Sequence, residues 1–235
     1  MKKCGIFIGL IVLGLASCKQ KEEQPAKVNY SKKEAKTETS KKAESNILIA
    51  DLPIQFPGVS MLLYPIGELT IPEEKNNRYA AENNFVVSNY SDYEITGYLS
   101  NIKFQKTEND SLVSLTDKPI MIESATYLKT IADKLKKQFI VYIAETQDSN
   151  QDGKVDSNDV KEIFISNVDG SNFMRLSLDV HEVADWKVIE SQNRLYFRTI
   201  EDINKNGIFD KDDTIHYNYV DLTAKELKAI EFKPV

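Results

Sequence analysis

Residues 162–179 read "EIFISNVDGSNFMRLSLD": an apolar, β-branched run, a polar stretch centred on Asp169-Gly170, and a second alternating run. That order is strand, tight turn, strand. It recurs at 103–118, "KFQKTENDSLVSLTDK", and at 217–232, "YNYVDLTAKELKAIEF". The turns lie roughly fifty to sixty residues apart, a spacing that predicts an array of antiparallel hairpin repeats. Further strands are expected at "FIVYIAE" (139–145), "RLYFRTI" (194–200) and "IHYNYVDL" (215–222). One helix is expected over 126–138, where Leu128, Ile131, Leu135 and Phe139 fall at helical spacing. The fold class is therefore mainly β.

With the following "VADWKVIESQNRLYF" (183–197), the central unit resembles a blade of the TolB-like, WD-repeat-related β-propellers. In that family a strand ends in an Asp-Gly hairpin, a second ends in Leu-Ser or Leu-Thr, and a Trp-containing strand opens the next blade. The matching positions are Asp169-Gly170, Leu176-Ser177 and Trp186. The family's Ser-Pro-Asp-Gly after the Trp is replaced by "KVIESQN", and three units are discernible. Closure takes about four blades, so "SMLLYPIGELT" (60–70) would supply the remainder. The resemblance implies a small or incomplete propeller; a sandwich of the same hairpins is the alternative.

Upstream, "MKKCGIFIGLIVLGLASC" has two lysines, a short apolar run and small residues before Cys18. A run of that length is a secretory signal and too short for a mature membrane span. It resembles the lipobox of bacterial lipoproteins, which implies cleavage after residue 17 and acylation of Cys18, on its sulfur and on its new amino group. Several acyl chains, each buried methylene contributing ~0.8 kcal/mol, anchor a protein without spanning. Lys21-Glu22-Glu23 resembles the Bacteroidota signal that sends lipoproteins to the cell surface. An outer-membrane lipoprotein is implied, with the surface or the periplasm as the side it faces. Residues 18–46 carry the acylated Cys and then Lys, Glu, Ser and Thr with almost no large apolar residue, the composition of a disordered spacer. Of the net −6, the signal carries +2, the spacer +3 and residues 47–235 carry −11. An acidic domain without a basic stripe argues against a nucleic-acid partner.

Two stretches fifty-four residues apart match a twelve-residue calcium loop: "DSNQDGKVDSND" (148–159) and "DINKNGIFDKDD" (202–213). A hard dication takes six to eight oxygens, and this loop places them at positions 1, 3, 5, 7, 9 and 12 with glycine at 6. The first supplies Asp148, Asn150, Asp152, the Lys154 carbonyl, Asp156 and Asp159, with Gly153 at the turn and Ser149 and Gln151 directed to solvent. The second supplies Asp202, Asn204, Asn206, the Ile208 carbonyl, Asp210 and Asp213, with Gly207 at the turn. Both end in Asp where an EF-hand has Glu, and both are flanked by strand-like segments, so their Ca²⁺ is expected to fasten hairpins and not to swing helices. Asx-rich turns without an ion are the alternative.

His181 and His216 are the only histidines, and as lone residues they read as polar strand or turn positions. The chain has no glycine-rich phosphate loop, nucleophile elbow or HExxH motif. The expectation is a non-enzymatic, lipid-anchored, calcium-binding envelope module. Its partner would be an envelope protein or polysaccharide; a hydrolase with structural calcium is the alternative.

Overall fold

The computed structural model describes residues 25–31, 46–70 and 86–235. The signal, Cys18 and Lys21-Glu22-Glu23 lie outside them. Among the described residues, thirteen strands form two antiparallel sheets, with one short helix. The nine-stranded sheet runs β1 (Asn46–Ala50), β2 (Met61–Thr70), β4 (Glu94–Lys106), β6 (Met121–Tyr127), β7 (Phe139–Glu145), β8 (Glu162–Asn167), β9 (Met174–Arg175), with β3 (Ser88–Ser91) and β5 (Leu112–Ser114) also paired to β4. The four-stranded sheet runs β10 (His181–Ile189), β11 (Arg194–Glu201), β12 (Thr214–Asp221), β13 (Ala229–Phe232).

β7 explains how the sheets meet. All seven of its residues are buried, which requires cover on both faces of the strand. Ile140, Tyr142 and Ala144 point into a core shared with Leu63, Ile102 and Phe104 from β2 and β4. Phe139, Val141 and Ile143 point the other way, onto Val183, Leu195, Phe197 and Val220 of the four-stranded sheet. β8 divides likewise, Phe164 to the first core and Ile163 and Ile165 to the second. A continuous apolar run is thus the sequence mark of a strand covered on both sides.

Each of the three hairpins forms at its expected place, as β4–β5, β8–β9 and β12–β13. Asp169-Gly170 makes the tight turn, Gly170 at φ +79° and its N–H donating to the Asn167 carbonyl at 2.9 Å. The hairpins are not equivalent blades, however. Two belong to one sheet and the third to the other, and no closed ring of blades is seen among the described residues.

The expected helix is shortened to α1, Lys129–Leu135. Thr126 and Tyr127 instead pair with Val141 and Ile140 in the β6–β7 ladder, and Phe139 opens β7. Lys136 ends the helix in the left-handed region at φ 58°. Lys137 Nζ then donates to the carbonyls of Leu222, Thr223 and Ala224 at 3.1, 2.9 and 2.8 Å, fastening this end to the β12–β13 turn.

Candidate metal loops and the strap between them

The two acidic loops connect β7 to β8 and β11 to β12. They share positions 1, 3, 6, 9 and 12, and their hydrogen bonds coincide. The first-position carboxylate accepts from the glycine N–H: Asp148 Oδ2 from Gly153 at 3.1 Å, Asp202 Oδ2 from Gly207 at 2.7 Å. Position 3 accepts from the N–H of position 5, Asn150 from Asp152 and Asn204 from Asn206, each at 2.9 Å. Asp152 and Asn206 accept from the N–H groups of Lys154 and Ile208, at 2.9 and 2.7 Å. Asp156 and Asp210 accept from Asn158 and Asp212, at 2.8 and 2.9 Å.

The last residue closes each loop. Asp159 Oδ1 accepts from Ser149 N–H at 2.7 Å and Oδ2 from Asp156 N–H at 2.9 Å; Asp213 does the same with Ile203 and Asp210, at 3.3 and 2.9 Å. An Asp is one methylene shorter than the EF-hand Glu, and here it reaches the loop's own amides. The backbone repeats as well: Gln151 and Lys205 at position 4 have φ 62° and 57°, and Gly153 and Gly207 at position 6 have φ 96° and 81°.

One oxygen is placed to meet a cation. Asp148 Oδ1 is shielded from solvent and has no hydrogen-bond partner, though the other oxygen of the same carboxylate is bonded. A buried anionic oxygen without a donor is costly, and a cation bound among the loop's oxygens would meet it. Asp202, at the same position of the second loop, is itself 4% exposed.

A segment within the stretch read as a spacer lies across both loops. The Gly207 carbonyl accepts from the N–H groups of Lys27 and Val28 at 2.7 and 3.2 Å, and the Ser149 carbonyl from Asn29 at 2.8 Å. Val28 is buried. Ser149 and Gln151, expected to point to solvent, hold this strap instead. Ser149 Oγ donates to the Lys27 carbonyl and Gln151 Nε2 to the Asn29 carbonyl, both at 2.6 Å. Lys27 Nζ pairs with Glu182 at 2.6 Å. The Tyr30 hydroxyl is pushed up to about 12, first by burial and then by its hydrogen bond to the Asp202 carboxylate. Residues 25–31 are therefore docked; polar and backbone contacts hold them, with Val28 buried beneath.

The strap gives the second glycine a steric role that the first lacks. A Cβ at Gly207 would stand 2.2 Å from the Val28 carbonyl oxygen, whereas one at Gly153 would meet nothing within 4 Å. Both positions have positive φ. Gly153→Ala is therefore expected to cost about 1 kcal/mol from backbone strain, and Gly207→Ala about 2 kcal/mol with faster proteolysis at Lys27. Equal losses in urea denaturation, with equal cleavage rates, would show that the strap contact contributes nothing.

No family model, curated protein or solved structure matches the chain.

Proposed function

We propose that this protein is a lipid-anchored calcium-binding module of the bacterial envelope, working by interaction and not by catalysis. The support is the duplication: two twelve-residue loops that share Asp, Asn, Gly, Asp and Asp at positions 1, 3, 6, 9 and 12 adopt one hydrogen-bond scheme, and Asp148 Oδ1 has no hydrogen-bond donor. Asp148, Asn150, Asp152, Asp156 and the Lys154 carbonyl would hold the ion in the first loop, and Asp202, Asn204, Asn206, Asp210 and the Ile208 carbonyl in the second. Asp159 and Asp213 would close the loops. The bound ion would neutralise carboxylates that otherwise repel across each hairpin. Within this reading, the hairpins resembling TolB-like blades form two packed sheets and present loops at their ends. Cys18 is the anchor, and the partner is an envelope protein or polysaccharide.

Thermal or urea unfolding with and without Ca²⁺ tests the reading. At free Ca²⁺ ten times Kd, each occupied loop adds about 1.4 kcal/mol, and extracellular sites have Kd of roughly 10⁻⁴–10⁻³ M. Asp148→Ala should remove the first increment, and Asp202→Ala the second. An unfolding curve that does not move with millimolar Ca²⁺ would sink the proposal. The hydrolase alternative has less behind it. A groove of about 1000 Å³ sets Lys136 and Lys137 among Asp169 and Glu226, and no histidine lines it.

A further inference from the structure

Far apart in sequence, His181 and His216 come together on the four-stranded sheet. His181 stands opposite Glu201 across β10–β11, and His216 stands opposite Thr199 across β11–β12. Thr199 and Glu201 are two residues apart on one strand, so all four side chains leave the same face. That face also carries Val183, Leu195, Phe197 and Val220 into the core between the sheets. The histidines and Glu201 thus sit half-buried at the rim of an apolar layer.

The ligand geometry is specific. One ring nitrogen of each histidine and one oxygen of Glu201 all lie within 4.8 Å of one another. His216 Nε2 is 2.9 Å from Glu201 Oε2, and the two imidazole centroids are 5.0 Å apart. A tetrahedral ion with bonds of about 2.0–2.1 Å needs ligand atoms roughly 3.3 Å apart, which falls inside the 4.8 Å limit that these atoms keep. His216 Nδ1 lies 2.9 Å from Glu231 Oε1 on β13. His216 thus bonds a carboxylate at each ring nitrogen; with Nδ1–H kept on Glu231, an ion would replace the Nε2 proton beside Glu201, the carboxylate–histidine arrangement that orients a metal-bound imidazole.

The geometry points to a site for a divalent transition ion such as Zn²⁺, held by His181, His216 and Glu201 and oriented by Glu231, separate from both acidic loops. Two imidazoles and one carboxylate suit Zn²⁺ and its neighbours and not Ca²⁺, which takes oxygen. Three protein ligands leave a coordination position for water. No loop residue belongs to it, but Glu201 directly precedes Asp202, the first residue of the second loop, so the test is run with that loop saturated by Ca²⁺.

Competition of the full chain against a chromogenic Zn²⁺ chelator, at pH 8 with saturating Ca²⁺, tests it. One equivalent of Zn²⁺ should be retained, with at least a hundredfold loss of affinity in His216→Ala and in His181→Ala. Glu231→Gln should lose about 10–100-fold by releasing the orientation of His216. Co²⁺ should give the visible absorption of a tetrahedral site, and His216→Ala should abolish it. If either histidine variant fails to fold, Glu201→Gln and Glu231→Gln carry the same comparison. Zn²⁺ binding that is absent, or unchanged across the folded variants, overturns the assignment. Loss of Ca²⁺ stabilisation in Asp148→Ala with Zn²⁺ binding intact would leave it standing.

Discussion

Tyr142→Ala is expected to lower stability by about 3–5 kcal/mol, the range for deleting a large ring from a fully packed core. Tyr142 is fully buried in the middle of β7. Its ring meets Phe173 edge-on at 5.4 Å, and Phe173 in turn stacks on Phe164 at 4.8 Å. Removing it opens a void between β7 and β8, where the chain is covered on both faces and has least room to relax. Tyr142→Phe keeps the ring and loses only the 2.8 Å bond between the hydroxyl and Ser166 Oγ. About 1 kcal/mol is expected there, since Ser166 Oγ retains the Asn167 carbonyl at 2.7 Å. Urea unfolding of the two variants separates packing from hydrogen bonding; similar losses would mean that the ring is not the central element of this core.

Glu145→Gln works in the opposite direction and should stabilise the protein by about 3 kcal/mol at pH 7. Glu145 is fully buried at the end of β7, and neither carboxyl oxygen has a hydrogen-bond partner. Burial pushes its pKa from 4.5 up to about 9; Glu123 and Glu182 add to the rise, while Lys161 and Lys27 oppose it. A folded pKa above the unfolded one means the carboxyl contributes fully below pH 4.5, and that contribution is lost as pH rises toward 9. Between pH 4.5 and 7 the loss accumulates at about 1.36 kcal/mol per unit. The wild-type deficit against Glu145→Gln should therefore be under about 1 kcal/mol at pH 5 and about 3 at pH 7. It should widen further until the pH approaches 9. Parallel stability–pH curves for the two proteins, measured with calcium chelated, would refute the buried protonated carboxyl.

Features written within a single short window were legible in the sequence. The hairpin around Asp169-Gly170 formed where its turn residues place it, and both acidic loops fall between strands. The helix was half legible: Ile131 and Ala132 are its buried residues, but ladder pairing claimed Thr126 and Tyr127. What depends on register between distant strands was not legible. The histidines are thirty-five residues apart, and only the alignment of β10, β11 and β12 brings both to Glu201. The blade-like recurrence is limited for a related reason: a hairpin repeat specifies neighbours within the unit, not which sheet the unit joins. The strap was hidden because its contacts are mostly backbone amides and carbonyls, which leave no mark in composition.

That strap also sets a length. If Cys18 is the point of attachment, a domain tethered through residues 19–46 could stand up to roughly 95 Å from the bilayer at full extension. With 25–31 docked on the loops, only the residues from Cys18 to Pro25 remain between lipid and protein, a reach of about 25 Å. The two loops would then act as a cleat on which the leash is made fast, holding the domain near the membrane surface and turning the face that carries the loops toward it.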